Sequence, residues 1–306
     1  MHPCAFSVRG GPQGRSVVGG AQPTVFWILQ SGDAMKMVIM TDMEGVAGVL
    51  NFEDWVVPGG RFYDKGLRLL TQEVNAAVEG FFAGGATEVL VQDGHGYGGL
   101  DPETLDSRAM LQRGWAARPY PFGVDASFDG LAFVGQHAKA GTPYSHITHT
   151  GSFIAVDVAI NGISVGEYGE VALCARELGV PTVLACGEEA FCREAEALTP
   201  GVITVSGKRG VLPDGLDDLD EASYGRAKLG AIHLSPSKVR TLIRDGALRA
   251  ITKLKQDRAG FRYPDIHPPY VRTTRFRRKG DQPAWSSRDV HPSSVIGLLN
   301  LPHTKT

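Results

Sequence analysis

Two short apolar runs, Met35-Lys36-Met37-Val38-Ile39-Met40 and Thr87-Glu88-Val89-Leu90-Val91, flank a stretch with helical periodicity. From about residue 63 to 82, Leu67, Leu70, Val74, Ala77, Val78 and Phe81 fall on one stripe, the spacing of a helix that buries a single face. Gly84-Gly85 stops that helix. Strand, covering helix and strand in this order make a parallel pair, because a crossover long enough to hold a helix returns the chain in the same direction. The chain is therefore organised around an α/β sheet.

The remainder extends that pattern. Strands are expected at residues 130–134, 153–160 and 181–185, with a helix over 167–178 before the last of them. Asn161-Gly162 is a hairpin signal, so 163–165 is expected to pair back antiparallel and make the sheet mixed. Residues 212–221 are acidic and turn-rich and read as an exposed loop, and Ser235-Pro236 caps a helix running to about Lys255. Beyond Gly260 the chain is rich in Pro and Arg, with β-prone patches at 270–276 and 295–299, and reads as an irregular, partly stranded section. The expected fold is a three-layer α/β/α domain with a mainly parallel, mixed sheet. In domain terms, residues 1–34 are a disordered extension, or lie upstream of an ancestral start at Met35. Residues 35–258 form the α/β domain, and 259–306 a C-terminal section of the same domain.

Composition removes several function classes. With 306 residues, 42% apolar and 21% charged, the chain can bury a large core, and a formal net charge of −2 speaks against a dedicated nucleic-acid binder. No apolar run approaches the roughly 18 residues of a membrane span. The run Val25-Phe26-Trp27-Ile28-Leu29 falls short of the roughly seven residues of a secretory core. Cys4, Cys174, Cys186 and Cys192 form no CxxC pair, so reduced thiols in a cytoplasmic protein are expected.

Open α/β sheets bind ligands at the carboxyl ends of their strands. Polar residues gather where the apolar runs stop: Asp42 and Glu44 after the first strand, Asp93 and His95 after the second, His137 after the third, and Glu167 where a helix begins. Carboxylates and imidazoles meeting at one sheet edge are a nitrogen and oxygen donor set for divalent metal, zinc foremost, and a carboxylate able to bridge suits a pair of ions. Asp93 either supports a ligating histidine or caps the following turn. His146 and His149 lie in the loop after His137, and either is a candidate acid/base because imidazole titrates near neutral pH. Other motifs are weak. Asp42-x-Glu44 lacks the second aspartate of haloacid-dehalogenase-type phosphatases, and Gly94-x-Gly96-x-Gly98-Gly99 has the wrong spacing for a dinucleotide loop. Arg272, Arg275, Arg277, Arg278 and Lys279 read as a solvated basic face.

The motifs Thr41-Asp42-Met43-Glu44-Gly45, Asp93-x-His95, Gly135-x-His137-Ala138-x-Ala140-x-Thr142-Pro143 and Val165-Gly166-Glu167-x-Gly169 resemble those of the zinc-dependent D-aminopeptidase family, metallopeptidases of the DppA type. The resemblance runs from about Lys36 to Lys255. It implies a metallopeptidase domain with two zinc ions held by Asp42, Glu44, His95, His137 and Glu167, Asp42 bridging. It also implies a catalytic histidine at His149, with His146 as the alternative. The implied activity is hydrolysis of short peptides or amides with an N-terminal D-residue such as D-alanine, in a ring-shaped homo-oligomer without nucleic-acid or membrane partners. A metal-dependent amidohydrolase for L- or γ-linked peptides, and a non-catalytic metal- or small-molecule-binding protein on the same fold, are the alternatives.

Overall fold

The structure, a computed structural model, describes residues 34–114 and 119–306. In chain order the elements are β1 (Lys36–Thr41), α1 (Phe52–Trp55), α2 (Tyr63–Ala83), β2 (Glu88–Asp93), β3 (Met110–Gln112), β4 (Gly130–Gln136), β5 (Ala155–Ile160), β6 (Ile163–Val165) and α3 (Glu167–Glu177). There follow β7 (Thr182–Glu188), α4 (Glu189–Leu198), β8 (Ile203–Gly210), α5 (Glu221–Gly225), β9 (Ala231–His233), α6 (Pro236–Gln256), β10 (Tyr270–Phe276), β11 (Trp285–His291) and α7 (Val295–Leu299).

Successive residues of a strand point to opposite faces, so a strand buried on both faces must be apolar throughout. β1 meets that requirement. Met37 and Ile39 join one apolar cluster with Leu70, Val74 and Phe81 of α2 and Ile243 and Ile251 of α6. Val38 and Met40 join a second cluster with Leu173 of α3 and Phe191 of α4. The expected three layers are thus present around a seven-stranded sheet of order β3-β2-β1-β4-β7-β8-β9. Every pairing in it is parallel except β8 with β9.

The hairpin at Asn161-Gly162 forms, with φ of 49° and 82° as its tight turn requires. It does not make the main sheet mixed, however. β5 and β6 belong to a separate antiparallel sheet of order β11-β10-β5-β6, and the antiparallel strand of the main sheet is β9. Residues 295–299 are a helix rather than a β-prone patch. Ser294 caps them, and the Glu177 carboxylate accepts the N–H groups of Val295 at 2.5 Å and Ile296 at 3.2 Å. That carboxylate comes from α3, far away in sequence, and satisfies amides that a helix start leaves unpaired.

The basic run is a solvated face only in part: Arg275, Arg278 and Lys279 are exposed, whereas Arg272 and Arg277 are not. Arg272 is buried, with Nε and Nη2 donating to Asp289 Oδ2 at 3.1 and 2.8 Å. Arg277 lies buried over the Tyr224 ring and donates to the carbonyls of Leu216 and Asp217. Arg278 and Lys279 pair with Asp220 and Glu221, so the basic run and the acidic stretch compensate each other. Sequence periodicity also did not mark β3, β8, β9 and β11. Except for Ala34, the extension expected at residues 1–34 lies outside the described residues. No described helix is long and apolar enough to cross a membrane.

Candidate metal centre

The carboxyl ends of β1, β2 and β4 lie side by side, because Thr41 is in register with Asp93 on one flank and Val134 on the other. The turn after β1 is pressed onto β4: Asp42 N–H donates to Val134 O at 3.0 Å, and Gly45 N–H to Gly135 O at 2.7 Å. Only glycine fits Gly135. Its φ is 81°, and a Cβ there would lie 2.0 Å from the Asp42 carbonyl oxygen.

Each histidine of the cluster has one ring nitrogen committed to a backbone carbonyl. A carbonyl can only accept, so that nitrogen carries a proton and the other is turned toward the carboxylates. His95 Nε2 donates to Val56 O at 2.8 Å, and its Nδ1 faces Asp42 Oδ1 at 3.1 Å and Glu44 Oε2 at 3.4 Å. His137 Nδ1 donates to Ala138 O at 2.8 Å, and its Nε2 faces Asp42 Oδ2 at 3.2 Å and Glu167 Oε2 at 3.5 Å. His149 Nδ1 donates to Ile147 O at 3.0 Å, leaving Nε2 at 3.8 Å from Glu167 Oε1. Glu167 opens α3, where the helix N-terminus favours a carboxylate, and its Oε1 accepts Gly151 N–H at 2.7 Å.

Asp42, His95 and His137 are buried, and in each the attraction of its partners outweighs desolvation. Burial opposes every charge here, yet the bonds and charges of His137 and His95 hold Asp42 well below the ordinary carboxylate value. Against the same burial, Glu44 and Asp42 carry His95 up to about 12, and Glu167 and Asp42 carry His137 well above its ordinary range. The carboxylates therefore call for positive charge, a proton or a metal ion, where the imidazole nitrogens face them. Glu44 Oε2 and His137 Nε2 are buried without a hydrogen-bond partner among the described residues, which costs free energy unless something else binds them. Two overlapping donor groups, Asp42 with Glu44 and His137, and His137 with His149 and Glu167, each have their ligand atoms within 4.8 Å of one another. The donor set fits divalent metal.

The remaining sequence candidates divide. His149 lines the cavity beside the cluster, whereas His146 points elsewhere: its Nε2 donates to Leu50 O at 3.1 Å and its ring packs on His233. Burial and the nearby Lys208 charge push His146 down to about 2, so it stays neutral. Asp93 takes the turn role, accepting Gly99 N–H at 3.0 Å. Three residues with a part in the cluster were not picked out from the sequence. Gln136 Nε2 donates to Asp42 Oδ2 at 3.0 Å and Glu167 Oε2 at 3.2 Å, orienting both carboxylates. Glu188, at the end of β7, accepts the N–H groups of Ala138 at 2.8 Å and His146 at 2.7 Å, tying down the loop that carries His149. The buried Lys208 ammonium donates to the carbonyl of Glu44. Gln136 and Glu188 each stand where an apolar strand ends, which could have pointed to them; Lys208 carried no such signal.

A parallel-sheet edge that gathers carboxylates and imidazoles at the head of a cavity is what a metal-dependent α/β enzyme presents. More narrowly, the chain belongs to the D-aminopeptidase family, whose model matches residues 35–284. It is thus a metallo-aminopeptidase, a hydrolase of peptide bonds. A D-aminopeptidase from Bacillus subtilis (strain 168) is 34% identical over 195 residues, which is 63% of this chain and 70% of that one. The solved structure of the Zn-dependent D-aminopeptidase DppA from Bacillus subtilis, a self-compartmentalizing protease, is similar with a TM-score of 0.71 at 25% identity. That match covers 87% of this chain and 94% of the other.

Proposed function

We propose that the chain is a binuclear zinc aminopeptidase acting on short peptides or amides with an N-terminal D-residue, D-alanine among them. Asp42, Glu44, His95, His137 and Glu167 are the ligands, and Asp42 bridges. The observation that carries this reading is the split of one carboxylate between two imidazoles, Asp42 Oδ1 facing His95 and Oδ2 facing His137. Five donors also exceed what one tetrahedral ion uses. Zinc is supported by the description of the solved Bacillus structure, and the D-residue by the names printed for both matches.

When bound, a pair of divalent ions supplies Lewis acidity for a peptide carbonyl and an acidified water at neutral pH. The chain's own residues do the rest. Gln136 keeps the Asp42 and Glu167 carboxylates aimed. His149, with Nδ1 anchored on Ile147 O, presents Nε2 to the cavity, where it can take a proton and pass it to the leaving amine. The Phe153 ring, 4.8 Å from the His149 ring, restricts water on that side. Assembly as a homo-oligomer is part of the proposal, on the solved relative's description as self-compartmentalizing. So is cytoplasmic location, on the buried free thiols of Cys174, Cys186 and Cys192.

The test is metal analysis combined with a panel of D- and L-aminoacyl amides and dipeptides. Two zinc ions per chain and faster turnover of the D-series are expected; no divalent metal after reconstitution, or turnover of the L-series alone, defeats the reading. A second reading has one observation behind it: His149 groups with His137 and Glu167 as a ligand triad. In that case removal of His149 strips metal as well as activity.

A further inference from the structure

The cavity at the cluster has a volume of about 590 Å³, within the range that holds molecules well beyond the size of a dialanine. Away from the cluster, where Thr41, Ser152 and Glu221 supply its polar edge, much of its wall is aromatic. Phe52 and Phe153 stand with ring centroids 5.0 Å apart, Tyr120 and Phe122 with theirs 4.8 Å apart, Tyr97 flanks His95 at 6.1 Å, and Phe133 completes the wall. Met40 and Val171 add aliphatic surface, and the described lining residues include no lysine or arginine. The Tyr120 hydroxyl is already committed, donating to Glu170 Oε2 at 2.6 Å. The rings also hold one another in place, so a side chain entering between them meets a surface that loses little freedom on binding. An alanine methyl would leave most of that apolar wall against water. A benzyl or isobutyl group would cover it, and each additional methylene buried is worth roughly a factor of four in affinity.

We propose that this aromatic wall is the specificity subsite, and that it selects substrates whose N-terminal residue carries a large apolar side chain of the phenylalanine or leucine class over those beginning with alanine. The inference rests on the aminopeptidase reading of the adjacent cluster. It extends that reading from a reaction to a substrate class.

The test uses the full chain supplied with zinc and has two arms. The first compares kcat/KM for phenylalaninamide, leucinamide and alaninamide in the hand that is turned over faster. The second measures by calorimetry the binding of free phenylalanine and alanine of each hand, which needs no turnover. Phenylalanine is expected to lead alanine by at least tenfold in both arms, and Tyr97→Ala and Phe122→Ala each to cut that ratio at least fivefold. Tyr97 is 59% exposed, so its replacement leaves the core intact. Turnover with a ratio below tenfold, or a ratio untouched by both substitutions, overturns the subsite and leaves the aminopeptidase reading standing. No turnover of any amide, together with tenfold tighter binding of phenylalanine that Tyr97→Ala abolishes, upholds the subsite and removes the aminopeptidase reading. Neither turnover nor preference removes both.

Discussion

His149 lies flat against His137, ring centroids 4.1 Å apart and planes 22° apart. The stack places an imidazole directly over the His137 ring without a hydrogen bond between them, and it fixes the height of His149 Nε2 above the cluster. A ring held this way can act on the substrate while the one beneath holds its charge partners.

His149→Ala is therefore expected to lower kcat about a hundredfold or more while zinc content stays unchanged, the signature of an interaction made in the transition state. His149→Phe, which keeps a ring on His137 but no proton carrier, should lose as much. His146→Ala should lower the melting temperature rather than kcat, since His146 lies away from the cavity wall. Retained turnover in His149→Ala alongside its loss in His146→Ala reverses the assignment.

Asp42→Ala should release both zinc ions, because one carboxylate faces both imidazoles. Metal analysis of the purified variant checks this, and full occupancy would exclude a bridging role.

Burial pushes the Glu73 carboxyl up from 4.5 to about 7, against the Ala47 N–H bond and the charges of Lys208 and Arg240. The folded chain then holds this proton more tightly than the unfolded one. The group favours folding below its ordinary value, and the contribution is lost as pH rises through about 7. Glu73→Gln keeps an oxygen for the Ala47 N–H and removes the titration. Its stability relative to the natural chain should improve between about pH 5 and about pH 8, by up to about 3 kcal/mol. Thermal unfolding at the two pH values measures this, and an equal displacement at both refutes it.

Arg272→Ala leaves the Asp289 carboxylate buried without its guanidinium partner. A loss of about 3 to 5 kcal/mol is expected by denaturant unfolding. Arg272→Met combined with Asp289→Leu should recover much of it, because no charge is then stranded. A loss under about 1 kcal/mol in the single variant would contradict the burial of the pair.

The β1, α2 and β2 unit was legible because its signals are local. Every apolar residue of Met37 to Met40 has a face to bury, and the α2 stripe repeats at helical spacing. Asp42, His95 and His137 could be picked out for the same reason, since each is the first polar residue past a buried strand or close to it. The hairpin turn was legible, but not the sheet it belongs to: Asn161-Gly162 specifies a tight turn that pairs β5 with β6, whereas the other partner of β5 is β10, more than a hundred residues on. Residues 295–299 looked β-prone because Val and Ile favour strands. What makes them helical is a cap from Ser294 and a carboxylate reaching over from Glu177.

By itself the sequence determined the α/β class, the parallel start of the sheet and the set of donors standing at its strand ends, since periodicity and the ends of apolar runs follow from each segment's own need to bury one or both faces. Only the tertiary structure decided that Asp42 faces two imidazoles at once, that Gln136 and Glu188 hold the cluster and its loop, that the basic run closes on the acidic stretch, and that aromatic rings from separate segments make one wall. Those relationships join residues tens to hundreds of positions apart. Their energies come from proximity in three dimensions and leave no local period in the chain.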